Sequence, residues 1–301
     1  MRSIEIGIVL PLMQFGPDRT TTRWPEINEM ARRAEAIGFD TIWTPDELLW
    51  RAEDGPPRGV WEGIAMAGAV AAVTSKTKVG TWVMSALHRN PGIIAKAAET
   101  LDEISGGRFV FGLGAGHEWP GQARAFGLPE DQIFARFDEA LKVIIPLLRG
   151  GHADFEGTWH AARDLPQQPQ GPRPNRIPIL IGGNGPKGQH HAARHADVYS
   201  CYVEERAVVD EVAPRLASLD AICTEEGRDP ATIGRSVGVL VNPVERLEDR
   251  PALISGSAEA IADAFRSFRE AGFSQLEIML HPGTLAALEA LAPVLELLDA
   301  D

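Results

Sequence analysis

The stretch Lys78-Val79-Gly80-Thr81-Trp82-Val83-Met84, followed by Ser85-Ala86-Leu87-His88-Arg89-Asn90 and then Pro91, decides the fold. A β-branched run of strand length gives way to a polar loop. From residue 91 to 105 the apolar residues then recur at three- and four-residue spacing, the period of a helix buried on one side. Pro91 starts that helix at a position where its missing N–H is not needed. After Gly106-Gly107-Arg108 the chain enters a second buried run, Phe109-Val110-Phe111-Gly112-Leu113. A strand, a covering helix and a further strand form one unit of a parallel sheet.

Working outward, the same unit recurs along the chain. Strands read at 4–10, 41–44, 78–84, 109–113, 179–181, 197–200, 236–241 and 275–279. Helices read at 26–37, 61–74, 91–105, 134–148, 188–195, 208–226, 258–271 and 285–298. Ala36-Ile37-Gly38-Phe39-Asp40 and Glu270-Ala271-Gly272-Phe273-Ser274 each spell a helix end, a glycine that can stop it in a left-handed turn, and entry into a buried strand. Eight such units in 301 residues fit an α/β fold of the (β/α)8 TIM-barrel type with insertions, because that barrel needs about 250 residues. The whole chain, 1–301, reads as one domain. Its surplus lies in the proline-bearing stretch 150–176, where Ala153 to His160 reads as a small hairpin turning at Glu156-Gly157.

Composition excludes several classes. With Lys+Arg 29 against Asp+Glu 42, the formal charge is −13, and the chain lacks the basic excess that neutralises nucleic-acid phosphates. Its apolar runs fall far short of the roughly 20 residues that span a bilayer. The opening MRSIEIGIVLP has no signal-cleavage pattern, so a cytoplasmic protein is expected. Cys201 and Cys223 make neither a disulfide framework nor a metal-ligand spacing. His190 and His191 lack a partner at ligand spacing, and no metal is assigned.

Barrel active sites lie at the C-terminal strand ends. Strand two ends in Thr44-Pro45-Asp46-Glu47-Leu48-Leu49-Trp50, strand three in Ser85-Ala86-Leu87-His88-Arg89-Asn90-Pro91, and strand four in Gly114-Ala115-Gly116-His117-Glu118-Trp119. Strand five runs through Gly182-Gly183-Asn184-Gly185-Pro186-Lys187-Gly188 straight into a helix. Amides of such a turn and the helix dipole favour an anion such as phosphate, although a plain tight turn reads equally well. Gly114, Ala115 and Gly116 leave backbone bare, either for a flat ring or for a tight turn. His117 and Glu118 are candidate acid/base groups, the alternative being surface residues. Side chains of the adjacent Asp46 and Glu47 diverge, and Asp46 is taken as the one facing the pocket. Most of Trp43, Trp50, Trp61, Trp82 and Trp119 belong to the core, with one or two available as a stacking wall.

The series Lys78-Val79-Gly80-Thr81, Arg89-Asn90-Pro91, Ala95-Lys96, Thr100-Leu101-Asp102, Ile104-Ser105-Gly106-Gly107-Arg108 and Gly112-Leu113-Gly114-Ala115-Gly116 resembles the luciferase-like monooxygenase superfamily, particularly its coenzyme F420-dependent branch. Ala125-Phe126-Gly127, Arg136-Phe137, Pro178-Ile179-Leu180-Ile181-Gly182-Gly183 and Ala192-Ala193-Arg194-His195-Ala196-Asp197 follow in the family's order. The resemblance implies a bacterial-luciferase-like TIM barrel, a homodimer, and a flavin-like ring at the barrel mouth. It implies a bulge at Val83, Met84 and Ser85 backing that ring, with a non-prolyl cis peptide in relatives. It also places Asp46 near the ring and Gly182, Gly183, Asn184 and Gly185 near the cofactor phosphate. The implied reaction passes a hydride between F420 and a small organic substrate, with His117, Glu47 or Asp46 handling the compensating proton. Two departures stand out. Asp46-Glu47 replaces an Asp-His of many relatives, and His117 replaces an acidic residue of the sugar-phosphate dehydrogenase branch, so neither supports a sugar-phosphate substrate. The alternatives are a monooxygenase using reduced FMN and oxygen, and a non-catalytic flavin-binding protein.

Overall fold

Eight parallel strands close on themselves: β1 Glu5–Val9, β2 Thr41–Thr44, β3 Lys78–Thr81, β4 Phe109–Gly114, β5 Ile179–Gly182, β6 Val198–Tyr202, β7 Gly234–Asn242 and β8 Gln275–Leu280. Each pairs with the next, and β8 pairs with β1 to complete the (β/α)8 barrel. The structure is a computed structural model that describes residues 2–14, 20–50, 55–116, 121–245 and 252–301.

Helices cover the strands: α1 Trp24–Ile37, α2 Gly63–Val73, α3 Pro91–Ser105, α4 Ile133–Gly150, α5 Pro186–His195, α6 Val209–Glu225 and α7 Ala258–Glu270. Local chemistry sets their ends. Asn90 caps α3 by accepting the Gly92 N–H at 2.9 Å. Gly38 follows α1 at φ 98° and Gly272 follows α7 at φ 104°, a region side chains rarely adopt. The helix read at 285–298 is two, Leu285–Glu289 and Ala292–Asp299. Pro293 explains the break, because its ring has no N–H and would clash with the carbonyl four residues earlier.

Among the described residues two antiparallel strand pairs sit outside the barrel. His152–Glu156 pairs with Ala161–Pro166, so the hairpin turns over residues 157–160, one step later than Glu156-Gly157. Glu139 of α4 fixes that turn by accepting N–H groups from Thr158, Trp159 and His160 at 2.7, 2.8 and 3.1 Å. Leu49–Trp50 pairs with Arg58–Gly59, strands too short to show any alternation in sequence.

Strand alternation divides the core. Outward residues such as Ile6, Ile8, Ile42, Phe111, Ile181 and Val239 pack under the helices. Inward, Val9, Trp43, Val110 and Leu180 pack with Trp82, Val83, Val198 and Met279. Glycines make that inner cluster possible. A Cβ at Gly7 or Gly80 would overlap the Trp43 indole, and one at Gly238 would overlap the benzo edge of Trp82. Trp43 from β2 and Trp82 from just beyond β3 therefore reach across the barrel in successive layers.

A polar thread runs beside them. Trp82 Nε1 donates to Ser200 Oγ at 3.0 Å, Ser200 Oγ lies 3.4 Å from Ser236 Oγ, and Ser236 Oγ donates to Glu277 Oε1 at 2.9 Å. Glu277 is 1% exposed. At the foot of the barrel Lys78 Nζ donates to both Glu5 carboxylate oxygens, at 2.8 and 2.7 Å.

The inner packing makes a sharp prediction at Gly112, where a Cβ would fall on the Thr81 carbonyl oxygen, a backbone atom that cannot rotate away. Gly112→Ala should lower the thermal midpoint by roughly 10 °C or more, as overpacking against backbone does. Gly150→Ala, whose Cβ would meet nothing within 4 Å at the end of α4, should leave it unchanged or slightly raised. Circular dichroism melts compare them, and equal midpoints would refute the packing.

Candidate active site at the barrel mouth

Strand three breaks at its mouth end. Pairing stops at Thr81 and resumes at Met84–Ser85. Gly80 faces Val110 while Met84 faces Leu113, so four steps on one strand span three on the other, which is a one-residue bulge. The Trp82–Val83 peptide is cis. Val83 projects between β4 and β5: a Cβ at Gly114 would lie 2.8 Å from Val83 Cγ2, and one at Gly182 would lie 3.2 Å from Val83 Cγ1. At Gly116 a Cβ would lie 2.7 Å from Ser85 Oγ.

These contacts give the small residues Gly114 and Gly116 a packing reason, as the tight-turn alternative expects. Side chains of the bulge fill the space beside Gly114, Gly116 and Gly182, and Ala115 packs against the core. The surface offered at this end is therefore the bulge itself, with Trp82 and Val83 partly exposed. Across the barrel, Tyr202, 40% exposed, ends β6, and Leu240, 36% exposed, lies two residues before the end of β7.

Asp46 does not open into the mouth. It is buried and accepts Arg89 through both oxygens, Nη1 at 2.6 Å and Nη2 at 2.7 Å, together with the Ser85 N–H at 2.9 Å. His88 Nδ1 lies 3.5 Å away. Burial opposes ionisation, but the His88 imidazole beside it and the Arg89 guanidinium prevail and hold the carboxyl below its usual 3.8. Arg89 also pairs with Glu62, whose side chain caps α2 by accepting the Ala65 N–H at 2.6 Å. Asp46 thus fastens the bulge to the next loop.

Glu47 is half-buried and accepts from Gln122 Nε2 at 3.0 Å. Gln122 Oε1 accepts both the Leu48 and Leu49 N–H groups, at 2.7 and 2.8 Å. Its Nε2 stands 3.5 Å from His88 Nε2. Gln122 belongs to the short helix Gln122–Phe126, and nothing in its local sequence marks it. His88 could have been noticed only through its neighbour Arg89. His117 lies outside the described residues.

After β5, the turn at 182–188 is partly spent on the fold. The Gly183 N–H donates to the Ser200 carbonyl at 3.0 Å. Gly183 and Gly188 cross so closely that a Cβ on either would sit 3.2 or 3.1 Å from the other's Cα. Asn184 brackets the Tyr202 backbone, accepting its N–H at 3.0 Å and donating to its carbonyl at 3.3 Å. What remains for an anion is the first turn of α5, where Pro186 has no N–H and those of Lys187 and Gly188 lack intrahelical acceptors. Among the described residues no group of three or more His, Cys, Asp or Glu could hold a metal.

Residues 4–248 match the family described as luciferase-like monooxygenase. The chain is 30% identical over 215 residues to an F420-dependent glucose-6-phosphate dehydrogenase of Amycolatopsis mediterranei (strain U-32), covering 66% of this chain and 57% of that one, so it spans little more than half of that relative. Its fold is similar to that of the coenzyme F420 dependent tetrahydromethanopterin reductase from Methanopyrus kandleri, with TM-score 0.75, 18% identity and 97% of each chain covered. A long-chain alkane monooxygenase aligns with TM-score 0.78 and 15% identity, over 98% of this chain and 92% of the other.

The anchor predicts an acid dependence. Because the Asp46 carboxyl is held below 3.8, its stabilisation is fully present above that value and is lost as pH falls through the lower folded one. Asp46→Asn leaves Arg89 without its bidentate partner and should cost about 3 kcal/mol at pH 7. Urea midpoints at pH 7 and pH 3 should show the gap to wild type narrowing in acid; a gap that stays constant speaks against the pairing.

Proposed function

We propose that this chain, which belongs to the luciferase-like monooxygenase family, is an oxidoreductase that binds the deazaflavin coenzyme F420 at the barrel mouth and serves hydride transfer to or from a small organic substrate. The observation that carries this reading is the bulge of strand three, whose Trp82 and Val83 give an apolar wall on the same rim as the free first-turn amides of α5. A flat ring with a phosphate-bearing tail needs that pair of surfaces. The F420-dependent relative supports the choice of coenzyme.

The residues present fit the group. Lys187 and Gly188 would hold its phosphate through backbone N–H, and Trp82 and Val83 would bear on its ring. When bound, the coenzyme supplies the carbon that carries the hydride. The protein's own part is to orient and to handle a proton. Asp46, charged and locked, keeps the Ser85 N–H and Arg89 in place. Glu47, held by Gln122, stands as the acid or base at the mouth, with His117 as the other candidate. The family and the fold likeness to the alkane monooxygenase favour reduced FMN with oxygen as the second reading.

We further propose a homodimer. α2 reads Gly-Ile-Ala-Met-Ala-Gly-Ala-Val-Ala-Ala-Val, yet buries Gly63, Ala67, Val70 and Ala71 while Ala65 and Ala72 stay exposed. A helix apolar all round belongs between two layers. Beside it Trp24 and Trp61, 38% and 36% exposed, line a concavity of about 320 Å³ with Arg23, Pro25 and Met66. A second copy would cover both.

Titration of the purified protein with F420 and, separately, with FMN tests the coenzyme: F420 should bind and FMN should not compete at equal concentration. Preferential FMN binding with oxygen consumption would replace this reading by the second, and tight binding of either without turnover would leave a binding protein. Gly185→Val should weaken F420 binding tenfold or more without altering the melt, because a Cβ there meets nothing within 4 Å. Glu47→Gln should keep binding and lose about a hundredfold in kcat; full turnover would pass the role to His117.

A further inference from the structure

A carboxylic acid lies inside the barrel with two donors aimed at it. Ser236 Oγ donates to Glu277 Oε1 at 2.9 Å. Trp43 Nε1 and Glu277 Oε2 face each other across the bare backbone of Gly7, where a Cβ would touch both. Neither atom has a hydrogen-bond partner among the described residues, so each is left for the other. Through Ser236 and Ser200 the same carboxyl also connects to Trp82 Nε1. Two tryptophans thus bear on one acid, Trp43 from across Gly7 and Trp82 through two hydroxyls.

An indole N–H can only donate, whereas a hydroxyl can donate or accept. With Glu277 ionised, both serine protons point toward it, and Ser200 Oγ presents a lone pair to Trp82. With Glu277 neutral, its own proton can go to Ser236, which then donates to Ser200. Ser200 Oγ then faces two donors, and its own proton must turn away. The charge on β8 is thereby read at the Trp82 N–H, beside the bulge.

We propose that Glu277 is a positioning residue whose ionisation state, passed through Ser236 and Ser200, sets the hydrogen bond holding the Trp82 indole across the barrel mouth. Burial pushes the carboxyl up to about 8, against the Ser236 hydroxyl that donates to it and the Trp43 indole beside it. The charged groups acting on it are Glu5 of β1, which raises it further, and Lys78 of β3, which lowers it. These two pair with each other at the foot of the barrel. The switch therefore falls near neutrality rather than in acid.

The test uses the full chain, labelled with nitrogen-15, and follows indole N–H resonances from pH 6 upward through the midpoint of about 8. Trp82→Phe and Trp43→Phe assign the two signals. Both should move together in the wild type and stand still in Glu277→Gln. In Ser236→Ala the Trp43 signal should still titrate and the Trp82 signal should not; Ser200→Ala should behave alike. A Trp82 resonance that ignores pH in the wild type, or that still titrates in Ser236→Ala, overturns the proposal. A second arm rests on the F420 reading: affinity for F420 should change severalfold between the two ends of the titration in wild type and stay flat in Glu277→Gln. Spectra that titrate in a protein that shows no F420 binding at any pH would support the wiring and count against the coenzyme reading.

Discussion

Large side chains meeting bare backbone inside the barrel are the constraint on which the rest depends. A (β/α)8 interior must be filled in layers, and two tryptophans fill it only where the facing strands carry no Cβ. Gly7 and Gly80 admit Trp43, and Gly238 admits Trp82. Trp82 in turn occupies the point where strand three leaves its regular pairing, so the bulge and the tryptophan define one another. Val83, the next residue, is seated by Gly114 and Gly182. The mouth is therefore shaped from below by packing.

Two buried carboxyls show how surroundings divide one chemistry into two roles. Asp46 has a guanidinium on both oxygens and a backbone N–H, so its ion is paid for and it stays charged. Glu277 has one hydroxyl and one indole against full burial, and its proton is held to a much higher pH. The first suits an anchor that must not change. The second suits a group that can change state without any movement of the backbone.

The mouth couples these elements in a short space. Asp46 holds Ser85, the last residue of the bulge, while Ser200 holds Trp82, its first. Gly183, just past the end of β5, donates to the Ser200 carbonyl. The bulge and the turn after β5 thus both hydrogen-bond to Ser200 of β6.

Much of this was legible in the residues. The alternation of buried runs with helical periods set out the eight units, and Asn90, Pro91, Gly38 and Gly272 marked ends, because these signals are local and each residue carries its own. The motif series pointed to the family, and the strand ends pointed to the rim. Tertiary structure alone decided what each rim residue faces. The glycines at 114 and 116 look the same in sequence whether a ligand or Val83 and Ser85 lie opposite. Asp46 reads as an open acid until Arg89, 43 positions away in the chain, closes on it. Gln122 and Glu277 gave no sign at all, since their partners come from other strands and loops. Periodicity is set by neighbours along the chain, whereas burial, pairing and proton affinity are set by neighbours across it.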